Sequence, residues 1–440
     1  MHVMSFKLKI RHKTIAFIKS LPILVFFILH NSSPSKAYSL LTHEAIIDAC
    51  WKTSIEPLLL KKYPGATPDQ LLEAHSYAYG GAIMPDIGYC PFGSMIYTNF
   101  VHNVRTGDYV QALLEEAENI NEYAFALGSL AHYMGDNYGH SLGTNIAVPL
   151  VYPKIKAKYG DVITYADNHK SHSRMEFAFD VLQTATGNYA TKAYHDFIGF
   201  NIARPVIEKA FYRTYGLNVN DVFGNMDLAI STYRWAIKWL LPNIVRTAWA
   251  NKKSELRKID PGITGRKFSY KMKNRTYYHE FGKDLQKAGF IPTVISVIIP
   301  ILPKVGPLAK LRFKAPTPEA EKLFIKSFDT TLVYYDSALK KLNSGLLKLP
   351  NRALDTGEKT APGKYSIADN NYAGLLLKLN EKSFDHINSG IRDNLVSFYS
   401  SAKPTTSNKK GIKKWKEITE ALNALNLASV DASAQLMINK

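Results

Sequence analysis

The run His132-Tyr-Met-Gly-Asp136-Asn-Tyr-Gly-His140 sets three side chains of metal-ligand type four residues apart, among glycines and other helix-compatible residues. At roughly 100° per residue the three fall within about 80° of one another on a helical wheel, so a single cavity can receive all of them. Gly128, Ala131, Gly135 and Gly139 would let a second helix approach that face closely. The order of types matters: a carboxylate between two imidazoles can bridge two cations, whereas two histidines alone would hold one. The same stripe is also compatible with a polar helix surface or with a hydrogen-bonded core network.

A second pair, His172-Ser-Arg-Met-Glu176, opens an apolar segment (Phe177, Ala178, Val181, Leu182) of helical period. Imidazole and carboxylate one turn apart suit zinc and leave an edge open to donors from another helix. The alternative is an N-terminal turn in which the acid complements the helix dipole. His169 is a competing donor nearby. Upstream lie Thr42-His43 at a helix start, Asp86 in the loop Pro85-Asp86-Ile87-Gly88, and His102 after Phe100-Val101. Singly, each reads as well as a turn, capping or core residue. His75 has no partner at helical spacing and reads as structural.

The N-terminus bears on His43. Lys7, Lys9, Arg11, Lys13 and Lys19 precede the apolar run Leu21–Leu29, and Ser35-Lys36-Ala37 offers small residues for cleavage. This is the pattern of a secretory signal peptide over residues 1–37, too short to span a bilayer. Export is the expectation, with a periplasmic or secreted mature chain beginning at Tyr38. Its α-amine, five residues before His43, would titrate near neutrality and could join its own carbonyl as a chelate.

Taken in order, Tyr38, His43, Asp86, His102, His132-x3-Asp136-x3-His140 and His172-x3-Glu176 resemble the zinc-dependent phospholipase C superfamily, which includes bacterial phospholipases C and fungal single-strand nucleases. The His-Ser-x-x-Glu form resembles the bacterial phospholipases. The short spacing to His140, followed by Ser141-Leu142-Gly143, is more similar to the catalytic domain of glycosylphosphatidylinositol-specific phospholipase D. The resemblance runs from about Tyr38 to about Lys253, and Tyr38 departs from it where many relatives carry tryptophan. It implies up to three zinc ions. One would lie among Asp86, His102, His132 and Asp136. A second would lie among the Tyr38 amine and carbonyl, His43 and Asp136, with Asp136 bridging the two, and a third among His140, His172 and Glu176. Such an enzyme uses metal-activated water, with Asp86 as the catalytic base. No Gly-x-Ser-x-Gly motif offers a side-chain nucleophile instead.

The net charge of +18 is unevenly shared. Residues 1–37 carry six basic and no acidic groups, 38–249 carry 16 basic against 20 acidic, and 250–440 carry 33 against 17. The half bearing the ligands is slightly acidic, as a cation site requires, which argues mildly against a nuclease with a basic groove. Helical periodicity is expected over about 42–61, 106–134, 173–185, 191–215 and 225–250, with no strand ladder. Residues 144–168 break that pattern and read as a connector or a pocket wall.

The boundary is expected near 251–275, giving a catalytic domain over 38–253 and a basic, mainly helical domain over 254–440. The apolar run 290–303 carries three prolines and reads as buried core or as a segment dipping into lipid. Helices are expected at about 318–345, 371–400 and 411–428, the last bearing Lys409, Lys410, Lys413, Lys414 and Lys416 as a solvated face. Cys50 and Cys90 are the only cysteines, either bridged or separate thiols. They are too few for a thiolate metal cage.

The reading is an all-α, exported zinc phosphodiesterase acting on phospholipid head groups, with possible peripheral contact to an anionic membrane surface and no nucleotide cofactor. A single-strand nuclease on the same site, or a non-catalytic protein gripping anionic surfaces through its basic half, are the alternatives.

Overall fold

The structure is a computed structural model that describes residues 40–186, 200–237, 253–255, 257, 313–385, 387–402 and 409–430. The signal segment, Tyr38, the expected domain boundary apart from 253–255 and 257, and the apolar run 290–303 lie outside the described residues.

The chain is helical almost throughout. Helix α1 (Leu40–Cys50) runs through a π-helical turn (Trp51–Ile55) into α2 (Glu56–Lys62). Helix α3 (Pro68–Ile83) begins at a capping box, in which Thr67 accepts from the Gln70 amide and Gln70 returns a bond to the Thr67 amide. A 3-10 turn (Met84–Tyr89) carries Asp86 out of α3. Helices α4 (Met95–Asn103), α5 (Thr106–Glu116) and α6 (Ile120–Gly139) follow. The single helix expected over 106–134 is therefore two. Asn119 accepts from the amides of Asn121 and Glu122 and starts a new helix where apolar periodicity alone shows no interruption.

Helix α6 ends in a π-helical turn (His140–Thr144) leading into α7 (Asn145–Val151) and α8 (Pro153–Tyr159). The connector expected over 144–168 is thus largely helical. Helix α9 (Tyr165–Thr186) is kinked at Asn168, whose side chain accepts from the Ser171 amide and caps the piece that carries His172 and Glu176. Helices α10 (Arg204–Tyr215) and α11 (Met226–Trp235) complete this part.

Beyond it, α12 (Pro318–Asn343) is followed by a small hairpin, β1 (Arg352–Ala353) paired antiparallel with β2 (Glu358–Lys359). Helices α13 (Ser366–Glu381), α14 (Ser389–Tyr399) and α15 (Lys409–Leu427) close the described chain. The helix expected over 371–400 is broken after Glu381, where Ser383 and Phe384 adopt positive φ. The hairpin is a departure from an expectation of no strands, but the fold is all-α as expected.

The core centres on the crossing of α3 with α6. A Cβ on Gly81 would fall 1.9 Å from the carbonyl oxygen of Phe125, and one on Gly128 would fall 2.0 Å from that of Ala78. Only glycine allows backbones to meet this closely, and the two helices clasp through these two notches. Around them Ile83, Phe125, Leu127 and Leu130 are fully buried. Helix α12 lies against α6, its π turn and α7. Tyr335 donates its hydroxyl to the carbonyl of Leu127 at 2.9 Å, and Ser327 fills the notch left by Gly143. No helix among the described residues is long and apolar enough to cross a membrane.

Candidate metal centre

Six chain segments converge on one buried cluster. His43 comes from α1, Asp86 from the 3-10 turn, His102 from α4, His132 and Asp136 from α6, His140 from the π turn, and His172 with Glu176 from α9. All eight side chains are buried. Three groups, the first two sharing His132, have donor atoms close enough to share an ion: His43, His132 and Asp136; Asp86, His102 and His132; and His140, His172 and Glu176.

Asp136 sits at the middle. Its Oδ1 is 3.4 Å from His43 Nε2 and 3.4 Å from His140 Nε2, and its Oδ2 is 3.2 Å from His102 Nε2 and 3.3 Å from His132 Nε2. Gly135 makes room for the His43 ring, since a Cβ there would meet His43 Nδ1 at 3.2 Å. The His43 and His132 rings stack at 4.2 Å. Asp86 Oδ1 approaches His102 Nε2 at 3.4 Å.

The ring tautomers follow from the carbonyls they face. His102 donates Nδ1–H to the carbonyl of Thr98 at 2.7 Å, and His132 donates Nδ1–H to that of Ala82 at 2.8 Å. A carbonyl oxygen only accepts, so in the neutral ring each Nε2 carries a lone pair. Those two Nε2 atoms stand 3.1 Å apart. Two lone pairs pointed at one another beside two carboxylates repel unless a proton or a metal cation lies between them. Neither oxygen of Asp136, nor Oδ1 of Asp86, accepts a hydrogen bond among the described residues. Buried carboxylate oxygens left this way are costly unless a positive charge completes the group. The donor set therefore fits zinc, with imidazoles held by second-sphere carbonyls.

The same demand appears in the titration of the cluster. Burial pulls the His102 imidazole down, but Asp136 and Asp86 outweigh it and push it up to about 9. Burial lowers His140 as well, and Asp136 with Glu176 reverses the direction. His43 is held below its ordinary value by burial and then by His132. For Asp136, burial favours the neutral acid, but His132, His140 and His102 hold it well below the usual carboxylate range. The buried carboxylates of Asp136, Asp86 and Glu176 thus draw positive charge onto the rings around them.

The third group is oriented separately. Asn145 donates its amide nitrogen to the backbone carbonyl of Asp355 at 2.7 Å, which turns its oxygen toward His172 Nε2 at 2.7 Å. His172 Nε2 is then the donor, and Nδ1 is left facing Glu176 Oε1 at 2.9 Å. His140 Nδ1 reaches the same oxygen at 3.4 Å.

Two further residues border the centre that sequence reasoning missed. The Tyr89 hydroxyl is buried and makes no hydrogen bond among the described residues. Burial raises its phenol well above the ordinary value, and Tyr165, Asp86, Asp136 and Glu176 add to the shift. Asp355, in the hairpin between β1 and β2, places Oδ1 3.4 Å from His172 Nε2. Its only sequence signal is Asp355-Thr356-Gly357, which reads as an ordinary turn. His75 lies elsewhere, stacked on Trp51 at 3.8 Å and facing Asp48, and His169 packs beside Tyr165 outside the three groups. Cys50 and Cys90 are thiols with no bridge between them, which settles that alternative against a clamp.

An all-α frame here gathers histidines and carboxylates into three buried groups, each able to hold a metal ion. Residues 42–224 match the family described as zinc dependent phospholipase C. The family implies a phosphodiester hydrolase of phospholipase C type, with phospholipid as the substrate class. Comparison with curated proteins and comparison with solved structures find no match.

Proposed function

We propose that the protein is an exported phosphodiesterase that hydrolyses phospholipid head groups, using up to three zinc ions. Asp86, His102, His132 and Asp136 would hold one ion, His43 and Asp136 with the Tyr38 amine and carbonyl a second, and His140, His172 and Glu176 the third. The observation that carries this reading is the buried four-way contact of Asp136 with His43, His102, His132 and His140. Bound there, zinc supplies water acidified to near neutrality and positive charge for phosphate oxygens.

The chain's own residues do the rest. The carbonyls of Thr98 and Ala82 fix the faces of His102 and His132, so that the donor geometry exists before substrate arrives. Asp86, with Oδ1 accepting no hydrogen bond among the described residues, is placed to take a proton from the attacking water. The Tyr89 hydroxyl stands ready to donate to a phosphate oxygen. The exposed lysines of α15, Lys413, Lys414 and Lys416, would favour peripheral contact with an anionic membrane surface.

The test compares hydrolysis of phosphatidylcholine, phosphatidylinositol, a simple phosphodiester and single-stranded DNA by zinc-loaded protein. Release of a phosphorylated head group from a phospholipid is the expected result. Cleavage of DNA alone would turn the assignment to a nuclease, and inactivity on all four with bound zinc would turn it to a surface-binding protein.

A further inference from the structure

Asp355 reaches the metal centre from a segment 131 residues beyond the end of the family match at residue 224. Its hairpin is fastened to the ligand helices at several points. The Leu354 amide donates to the carbonyl of His102 at 2.9 Å, and Thr106 exchanges hydrogen bonds with the backbone of Arg352 at 2.9 Å in both directions. Tyr133 donates its hydroxyl to the carbonyl of Pro350 at 2.6 Å. Gly357 takes φ +70, and a Cβ there would fall 2.7 Å from the carbonyl oxygen of Asn137 on α6. The turn is pressed against the ligand helix as closely as a backbone allows.

The carboxylate itself is aimed. One oxygen, Oδ2, accepts from the Tyr365 hydroxyl at 2.6 Å and from the Tyr165 amide at 3.1 Å. The other, Oδ1, accepts no hydrogen bond among the described residues and lies 3.4 Å from His172 Nε2 and 3.9 Å from His140 Nδ1. The side chain is only 10% exposed. With His172 Nε2 carrying the proton and Nδ1 facing Glu176, Asp355 stands on the N–H side of the ring, as a buried carboxylate fixed by two donors that orients the ring from behind and adds negative charge beside the group. The group it borders, His140, His172 and Glu176, has one carboxylate charge, whereas zinc carries two.

Resting on the metal reading above, we infer that Asp355 is the outer carboxylate of the third cation cluster, a positioning residue for His172 delivered by the C-terminal segment. The site is then completed by a part of the chain outside the family match. Asp355 supplies the second negative charge there and holds the His172 side of the cluster in place.

The experiment is zinc retention against a graded series of chelator strengths, read by elemental analysis, for wild type, His172→Asn, Asp355→Asn and Tyr365→Phe. Asp355→Asn keeps the shape and both hydrogen bonds to Oδ2 in outline. It is expected to release the same ion that His172→Asn loses, at roughly ten- to a hundredfold weaker chelation than wild type, and to keep the others. Tyr365→Phe leaves the carboxylate but loses the hydroxyl that aims it, and should shift the same ion severalfold. If Asp355→Asn does not fold, the Tyr365→Phe shift alone decides. Unchanged retention in the variants overturns the inference. So does zinc loss that merely tracks a lower melting temperature of the metal-stripped protein. Wild-type protein that takes up no zinc overturns the metal reading and this inference together, while full uptake with an indifferent Asp355→Asn overturns this inference alone.

Discussion

His132 donates its Nδ1–H to the carbonyl oxygen of Ala82 at 2.8 Å, across the crossing of α6 with α3. The bond spans the two notches at Gly81 and Gly128, so the helix contact that builds the core also sets the face of a ligand ring.

Gly128→Ala is therefore expected to cost about 3 kcal/mol or more, the upper end of overpacking penalties, because the new Cβ meets backbone that cannot rotate away. Metal retention should fall with it as Ala82 moves off His132. Chemical denaturation with and without zinc checks both, and a stability within experimental error of wild type would contradict the notch.

Asp136→Asn should remove more zinc and more activity than His140→Asn, since Asp136 faces four imidazoles and His140 belongs to one group. A double determination of metal content and phosphodiesterase turnover settles the order. Equal losses would mean that Asp136 does not bridge.

Tyr89→Phe is expected to keep all bound zinc and lower turnover by about tenfold or more, the effect of removing one donor from developing phosphate charge. Turnover equal to wild type would leave the hydroxyl without a part in catalysis.

Tyr38 lies outside the described residues, and its part can be tested chemically. A protein carrying one extra methionine before Tyr38 should lose the ion beside His43, and His43→Ala should mimic it. Combining the two should add little, because both changes empty one site. Full zinc content in the extended protein would make Tyr38 a structural start.

What could be read in the sequence was what repeats locally. His132, Asp136 and His140 are visible because a helix brings every fourth residue to one side, and His172 with Glu176 because the same rule holds over one turn. The π-helical turn at His140 was not visible, since one widened turn leaves no mark in a periodicity read over whole helices. The break before α6 was hidden because Asn119 interrupts by capping and leaves the apolar pattern intact. Asp355 was beyond reach for a different reason. Its contact with Asn145 joins positions 210 apart, and no local spacing encodes that distance. Whether Cys50 and Cys90 meet was likewise a three-dimensional matter.

That separation bears on how the molecule comes into being. The bond between Asn145 and Asp355 closes a loop of 210 positions, while the facing of His102 and His132 closes one of 30. Closure entropy rises with loop length, and distant contacts slow folding, so the shorter loop costs less to close than the longer one. A chain still being synthesised would have its histidines in hand well before Asp355 emerges. Tight retention of a third ion would then report that the hairpin at Asp355 has docked on the helices that carry His140 and His172.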